Sequence, residues 1–168
     1  MRFSFCGPVG FSILLSAWVA SGKAQERAPR EIYGPDLVVR LHAEGAQVYQ
    51  CKAADDGARA WRLLEPLATL FENGRVVGRH YAGPTWELND GSAVTAKVAA
   101  RAPGARRQDV PLLWLEVISQ QGAGQLSQTA TIERLNTKGG MASGPCAKAG
   151  ATLSVPYSAD YTFLRRPD

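Results

Sequence analysis

The chain has 168 residues, 45% of them hydrophobic, and a formal net charge of +4. This length is enough for one domain with a substantial core. Basic and acidic residues alternate along most of the chain, whereas a nucleic-acid binder usually concentrates its bases in one stripe. Composition therefore predicts no nucleic-acid partner, and we interpret the few basic clusters as solvated loop and tail: Arg101 with Arg106-Arg107, and Arg165-Arg166.

The first 24 residues have the pattern of a secretory signal peptide. Arg2 supplies a positive start, Phe11–Ala20 is an apolar run too short to span a membrane, and Gly22-Lys23-Ala24 places small residues before a cleavage point. Cleavage would leave Gln25 as the new N-terminus and would reduce the net charge to +2. We expect a secreted or periplasmic protein with no transmembrane segment once the signal is removed.

Cleavage of the signal peptide would also reduce the number of cysteines. Cys6 would leave with the signal, so that Cys51 and Cys146 remain. Two cysteines in an exported chain usually pair, which predicts one disulfide. The alternative, a metal-bound or reactive thiolate, is disfavoured by an oxidising compartment.

Residues 25–35 are polar and contain proline, and we interpret them as an arm that leads into an all-β domain over residues 36–168. From Leu37 onward the hydrophobic period is two, as in half-buried strands. Asn73-Gly74 separates Leu67–Glu72 from Arg75–Tyr81 and predicts a type I′ hairpin turn. Asn89-Asp90-Gly91 separates Thr85–Leu88 from Ser92–Ala99 in the same way.

The second half of the chain continues this pattern. We predict strands over Pro111–Ser119, Thr129–Asn136 and Leu153–Tyr157, with long loops at Ala100–Asp109 and Gly139–Gly150. A helical turn that begins at Glu65-Pro66 is an open alternative, because proline suits the first position of a helix. Short strands with frequent turns predict a single-domain antiparallel barrel or sandwich.

Several segments together resemble a known family. They are Gly78–Ser92 (GRHYAGPTWELNDGS), Leu41–Cys51, Trp61 with Glu65-Pro66, and Val155–Tyr161. The chain resembles a family of small secreted bacterial and fungal proteins catalogued as a domain of unknown function. The resemblance implies no established activity.

The sequence predicts no cofactor. The run Gly122-Ala123-Gly124-Gln125-Leu126-Ser127 lacks the third glycine of a dinucleotide fingerprint and leads into a predicted strand. That fingerprint requires a helix N-terminus to hold the pyrophosphate. We interpret the run as a hairpin loop.

Enzyme signatures are sparse, and no catalytic residue is predicted. Ser143 lies in a glycine loop without the strand-turn-helix context of a nucleophile elbow. Four acids are candidates for the paired carboxylates of a glycosidase, but no local rule brings any two together; they are Glu65, Glu87, Asp90 and Asp160. A metal-binding protein or metal-assisted enzyme that uses His42, Glu44 and His80 is the open alternative.

The aromatic residues favour a binding protein. Inward aromatics can line a cavity in a barrel, and aromatics at a rim can stack on sugars, although they also build ordinary cores; the set is Tyr49, Trp61, Tyr81, Trp86, Trp114, Tyr157 and Tyr161. A sharp corner at Gly83-Pro84 should direct His80, Tyr81 and Glu87 toward one end of the fold. We expect Trp86 to be buried and His80 and Glu87 to be accessible to a partner.

The expected function is therefore binding without catalysis. The predicted partner is a small molecule or a component of the cell envelope, with carbohydrate and lipid as candidate classes. An envelope protein with a filled barrel and no ligand is a third alternative.

Overall fold

A computed structural model of the protein describes residues 36–53 and 57–166. The predicted signal peptide and arm, at residues 1–24 and 25–35, lie outside the described residues. Within the described part, segments of alternating hydrophobicity separated by tight turns form eight antiparallel strands. They are β1 (Leu37–Ala53), β2 (Arg59–Glu72), β3 (Arg75–Tyr81), β4 (Thr85–Leu88), β5 (Ala93–Ala102), β6 (Leu112–Gln121), β7 (Thr131–Gly139) and β8 (Thr152–Leu164).

The strands form one closed barrel in sequence order, and β8 pairs with β1 to complete the ring. The prediction of an all-β, single-domain antiparallel fold with one disulfide is confirmed, and the barrel is the correct one of the two predicted architectures. The hydrophobic core lies inside the barrel and contains Leu41, Leu70, Leu115, Ile132 and Phe163. Among the described residues, no helix is long and apolar enough to span a membrane.

Local turn chemistry explains the hairpins. Asn73 and Gly74 have φ angles of 50° and 77°, as the predicted type I′ turn requires, and they join β2 to β3 directly. Gly91 has a φ of 84° in the predicted turn between β4 and β5. Both hairpins are confirmed.

One local prediction is corrected. Pro66 lies within β2, opposite Gln47 of β1, so the alternative of a helix at Glu65-Pro66 is wrong. The run after Gly122 lies in the connection of the β6–β7 hairpin, as predicted, and it contains a single turn of 3-10 helix, η1 (Gln125–Gln128).

The two ends of the barrel differ in their loops. We call one the η1 end: it carries the β2–β3 and β4–β5 turns and the β6–β7 connection that contains η1. We call the other the disulfide end: it carries the β3–β4 turn, the β5–β6 loop and the β7–β8 loop. In that last loop, Cys146 is bonded to Cys51 of β1, as predicted.

Candidate functional site: a cavity at the disulfide end of the barrel

The η1 end contains a buried leucine and a polar network around Asp90. Leu126 of η1 is fully buried. One carboxylate oxygen of Asp90 accepts hydrogen bonds from the backbone N–H and the hydroxyl of Ser92, and the other accepts from the backbone N–H of Gln125 at 2.7 Å. These donors, that of Gln125 above all, lower the pKa of Asp90. Asp90 therefore ties the β4–β5 turn to η1.

A cavity of about 340 Å³ occupies the disulfide end. Its apolar wall comes mainly from β2, β5 and β6, and its polar wall from β1, β3 and β7. The lining side chains are Gln47, Leu63, Leu64, Glu65, Pro66, His80, Gly83, Pro84, Trp86, Val98, Arg101, Pro111, Leu113, Leu115, Arg134 and Tyr161. A cavity of this size lies within the usual range for small-molecule sites, about 300–1,000 Å³.

Three packed rings contribute to the cavity wall. The imidazole of His80 stacks on Trp86, with centroids 4.3 Å apart and planes inclined by 10°. Tyr161 meets both rings edge-on at 5.2 Å. Because strand register pairs His80 with Trp86, both side chains point to the interior. The three rings form a rigid aromatic surface.

Several buried polar atoms beside this surface have weak partners or none within the described part of the chain. The indole nitrogen of Trp86 makes no hydrogen bond. The hydroxyls of Tyr157 and Tyr161 and the amide nitrogen of Gln47 interact with one another, but only through weak hydrogen bonds outside ordinary geometry. Burial, followed by the neighbouring Tyr161, raises the pKa of Tyr157. A buried donor without a partner costs about 1–3 kcal/mol, so such a group calls for an explanation.

Arg134 supplies a positive charge to the same interior. It is 9% exposed, and its Nε donates to the carbonyl of Pro111 at 3.0 Å. Among the described residues, no carboxylate lies within ion-pair distance of its guanidinium. Burial lowers the pKa of His80, and the charge of Arg134 adds to that decrease. Burial raises the pKa values of Tyr49 and Tyr157, and the charge of Arg134 opposes that increase. The guanidinium is therefore an interior charge with unused donors.

His80 is a neutral, buried residue. Only 2% of its surface is exposed, and burial lowers its pKa to about 3. Its Nδ1 lies 2.8 Å from the carbonyl of Thr85. Since a carbonyl only accepts, Nδ1 carries the proton and Nε2 is unprotonated. The expectation that His80 shares the accessible face of Glu87 is wrong: it shares the interior face of Trp86.

Tyr81 and Glu87 lie on the outer face of the barrel. The Tyr81 hydroxyl donates to Glu87 at 2.7 Å, and Arg79 donates to both carboxylate oxygens at 3.0–3.3 Å. These hydrogen bonds, that of Tyr81 first, lower the pKa of Glu87. Of the three residues predicted to bind a ligand, only His80 lines the cavity. Tyr81 and Glu87 form a separate outer cluster with Arg79.

The trio proposed as a metal site is not brought together. His42 lies on the outer face, with Nδ1 2.7 Å from Asp160 and Nε2 3.4 Å from Glu44. His80 lies inside the barrel. Within residues 36–53 and 57–166, no group of three or more histidine, cysteine or acidic side chains could hold a metal ion.

The other acids predicted as candidates are also dispersed. Asp90 belongs to the η1 end, Asp160 accepts from Asn136 at 2.8 Å on the outer face, and Glu87 pairs with Tyr81. Glu65 lines the cavity. Ser143 lies exposed in the β7–β8 loop. These positions give no paired-carboxylate arrangement around the cavity.

Sequence reasoning missed Gln47 and Arg134. Gln47 shares the alternation of Leu41 and Ala43 in β1, so its inward direction was available from the sequence. Arg134 sits in β7, whose two faces carry polar and apolar residues in similar numbers, so alternation alone does not indicate which face is internal. Arg134 follows Ile132 at a spacing of two, and Ile132 is fully buried. The spacing of two residues places Arg134 on the same face of β7 as Ile132. This was the available signal for an inward Arg134, and it required knowing that Ile132 points inward.

Comparison with known proteins gives a family and no function. Neither the curated proteins nor the solved structures contain a significant match to the chain. A family model described as "Protein of unknown function (DUF3455)" matches residues 33–165. That range includes every strand of the barrel and all the residues that line the cavity, and the chain belongs to this family of proteins of unknown function.

Proposed function

We propose that this protein is a non-enzymatic binding protein that holds a small organic molecule in the cavity at the disulfide end of its barrel. The Cys51–Cys146 disulfide and the signal-like N-terminal sequence support a site of action outside the cytoplasm. An eight-stranded barrel suits this function, because its interior is wide enough for one small ligand.

The observation that carries the proposal is the coincidence of the cavity with poorly satisfied donors. Gln47, Trp86 and Tyr161 line the cavity and are at most 1% exposed. The indole N–H of Trp86 has no hydrogen-bond partner in the described chain, and the side chains of Gln47 and Tyr161 have only weak hydrogen bonds with Tyr157. At the η1 end, by contrast, the Asp90 network satisfies its donors internally. A ligand at the disulfide end would supply the missing acceptors.

The size and lining of the cavity restrict the ligand. At about 30 Å³ per water molecule, 340 Å³ corresponds to on the order of ten waters. This space fits a compact molecule better than a long lipid or an oligosaccharide. The aliphatic residues Leu63, Leu64 and Val98 line the cavity and are 40–56% exposed, which favours a ligand with an apolar portion.

The cavity also weighs against the alternative of an envelope protein with a filled barrel. The aromatic surface and the poorly satisfied donors occupy the same wall, as in sites that combine an apolar lining with a few orienting polar groups. The metal-assisted alternative has less support, because the described residues contain no group of three histidine, cysteine or acidic side chains that could hold a metal ion.

Native mass spectrometry of protein purified from its own source tests the proposal. We expect an adduct of a small molecule that disappears on denaturation. Val98→Trp should obstruct the cavity and abolish the adduct. Val76→Trp is the matched control, since Val76 is an exposed strand valine outside the cavity wall.

A second measurement tests the cavity with an added probe, because a natural ligand can be lost during purification. Isothermal titration calorimetry with 2-naphthamide, a neutral planar probe, should show saturable binding to the wild type and to Val76→Trp but not to Val98→Trp. The absence of both an adduct and saturable probe binding in the wild type would contradict the proposal.

A further inference from the structure

We infer that the ligand is a monoanion, an aromatic or similarly compact apolar carboxylate, whose carboxylate pairs with Arg134 while its apolar body lies against His80, Trp86 and Tyr161. This inference rests on the proposed function, because it assigns a chemical class to the ligand of the same cavity.

The first argument is the charge of Arg134. A guanidinium is always ionised and offers five N–H donors, of which Arg134 uses one, on the carbonyl of Pro111. The residue is nine-tenths buried, and no described acid lies within ion-pair distance. Buried charges in proteins are usually paired, so this position favours an anion from outside the chain.

The polarity of the groups near Arg134 also favours an acceptor-rich ligand. The indole nitrogen of Trp86, which has no partner, and the amide nitrogen of Gln47 can only donate, and the hydroxyl of Tyr161 can donate as well. These donors complement an acceptor-rich group, and the same wall also contains two acceptors, the unprotonated Nε2 of His80 and the carboxylate of Glu65. A carboxylate has two oxygens and can accept two parallel hydrogen bonds from a guanidinium.

The charges of the cavity wall favour a ligand charge of one. Among the described residues, Arg134 is the single buried cation of the wall, since Arg101 is exposed and His80 is neutral at physiological pH. Glu65 contributes a negative charge of its own to the lining. A dianion, such as a phosphate monoester, would leave a charge without a buried partner.

The last argument concerns the apolar body of the ligand. The stacked pair of His80 and Trp86, with Tyr161 edge-on at 5.2 Å, presents rigid ring surface. Planar groups pack well against such surfaces in offset-stacked or edge-on geometry. Leu113 and Leu115 continue the apolar wall from β6.

Calorimetry with three matched probes tests the assignment: 2-naphthoate, 2-naphthamide and 2-naphthyl phosphate. Charge-assisted hydrogen bonds are about twice as strong as neutral ones, so we expect naphthoate to bind the wild type about tenfold or more tightly than naphthamide. The phosphate should bind more weakly than naphthoate.

Substitution of Arg134 distinguishes the contribution of its charge to probe binding from the contribution of the cavity shape. Arg134→Gln should weaken naphthoate binding about tenfold or more and leave the Kd for naphthamide within about twofold. Arg101→Gln, which removes an exposed charge from the same lining, should change the naphthoate Kd far less. If Arg134→Gln does not fold, Arg134→Lys keeps the charge but loses the paired geometry, and it should give an intermediate loss for naphthoate alone.

The outcomes distinguish this inference from the proposed function. Equal affinity for naphthoate and naphthamide in the wild type would overturn the monoanion and leave the binding function standing. Tighter binding of the phosphate would overturn the carboxylate. No binding of any probe, together with no native adduct, would overturn both.

Discussion

The two ends of this barrel differ in how far their polar groups satisfy one another. At the η1 end, Asp90 accepts three hydrogen bonds from Ser92 and Gln125, and Leu126 is fully buried, although the buried hydroxyl of Thr129 has no partner among the described residues. At the disulfide end, Arg134 and Trp86 line a cavity with unused donors, and Gln47 and Tyr161 have only weak hydrogen bonds with Tyr157. Both ends belong to one sheet, so the difference lies in side-chain chemistry and not in the fold.

This difference indicates how stability and binding are divided in the molecule. Groups that satisfy one another stabilise the folded state and leave little for a ligand to gain. Groups that remain unsatisfied weaken the folded state but gain most when an acceptor arrives. We therefore expect substitutions at the η1 end to lower the free energy of unfolding and to leave ligand binding intact. Substitutions of residues that line the cavity should weaken ligand binding and change the free energy of unfolding little.

The largest expected effect on stability comes from the disulfide. Replacing both partners, Cys51→Ser with Cys146→Ser, opens a cross-link between residues 95 apart in sequence. In the chain-entropy account, this should lower the free energy of unfolding by about 4 kcal/mol. Urea unfolding of the double variant and of the oxidised wild type measures the change. Equal midpoints would show that the cross-link does not constrain the unfolded chain.

The next effect compares two leucines at opposite ends. Leu126→Ala removes a fully buried side chain and should cost about 2–5 kcal/mol in unfolding free energy, with naphthoate binding unchanged. Leu63→Ala, at a cavity residue that is 56% exposed, should change stability by only about 0.5 kcal/mol while weakening probe binding. Chemical denaturation of both variants measures the change in stability, and calorimetry measures the change in probe binding. A binding loss in Leu126→Ala that matches the loss in Leu63→Ala would break the comparison.

Much of the fold was predictable from local signals. Alternating hydrophobicity gave the strands, and Asn73-Gly74 gave a turn whose φ angles match the prediction. The disulfide followed from the compartment that the N-terminal sequence indicates. Barrel closure, in contrast, depends on pairing between β1 and β8, whose partners are more than 100 residues apart along the chain, and no local pattern encodes such pairing.

The site was less predictable because it depends on register. The sequence indicated a turn at Gly83-Pro84, and these residues do line the cavity. Which face carries His80 depended on the pairing of His80 with Trp86 across that turn. A shift of one residue exchanges the inner and outer faces, and this explains the incorrect expectation for His80. Arg134 was missed for the related reason that a charged residue in a strand normally faces solvent.

The last prediction concerns the pH dependence of stability contributed by His80, a slope rather than a single change in unfolding free energy. Its pKa is about 3 in the folded protein, against 6.5 for an ordinary histidine, so below pH 6.5 the unfolded chain binds a proton that the folded chain does not. The stabilisation is fully present above pH 6.5. It is lost as pH falls toward 3, at about 1.4 kcal/mol per pH unit for this one group.

His80→Gln should flatten the slope of unfolding free energy between pH 6 and 4 by about this amount. His42→Gln is the control: His42 lies on the outer face, and its replacement should leave the His80 contribution to the slope in place. A slope unchanged in His80→Gln would mean that His80 is not held neutral by its burial against Trp86, and the aromatic wall of the cavity would then carry a charge of its own.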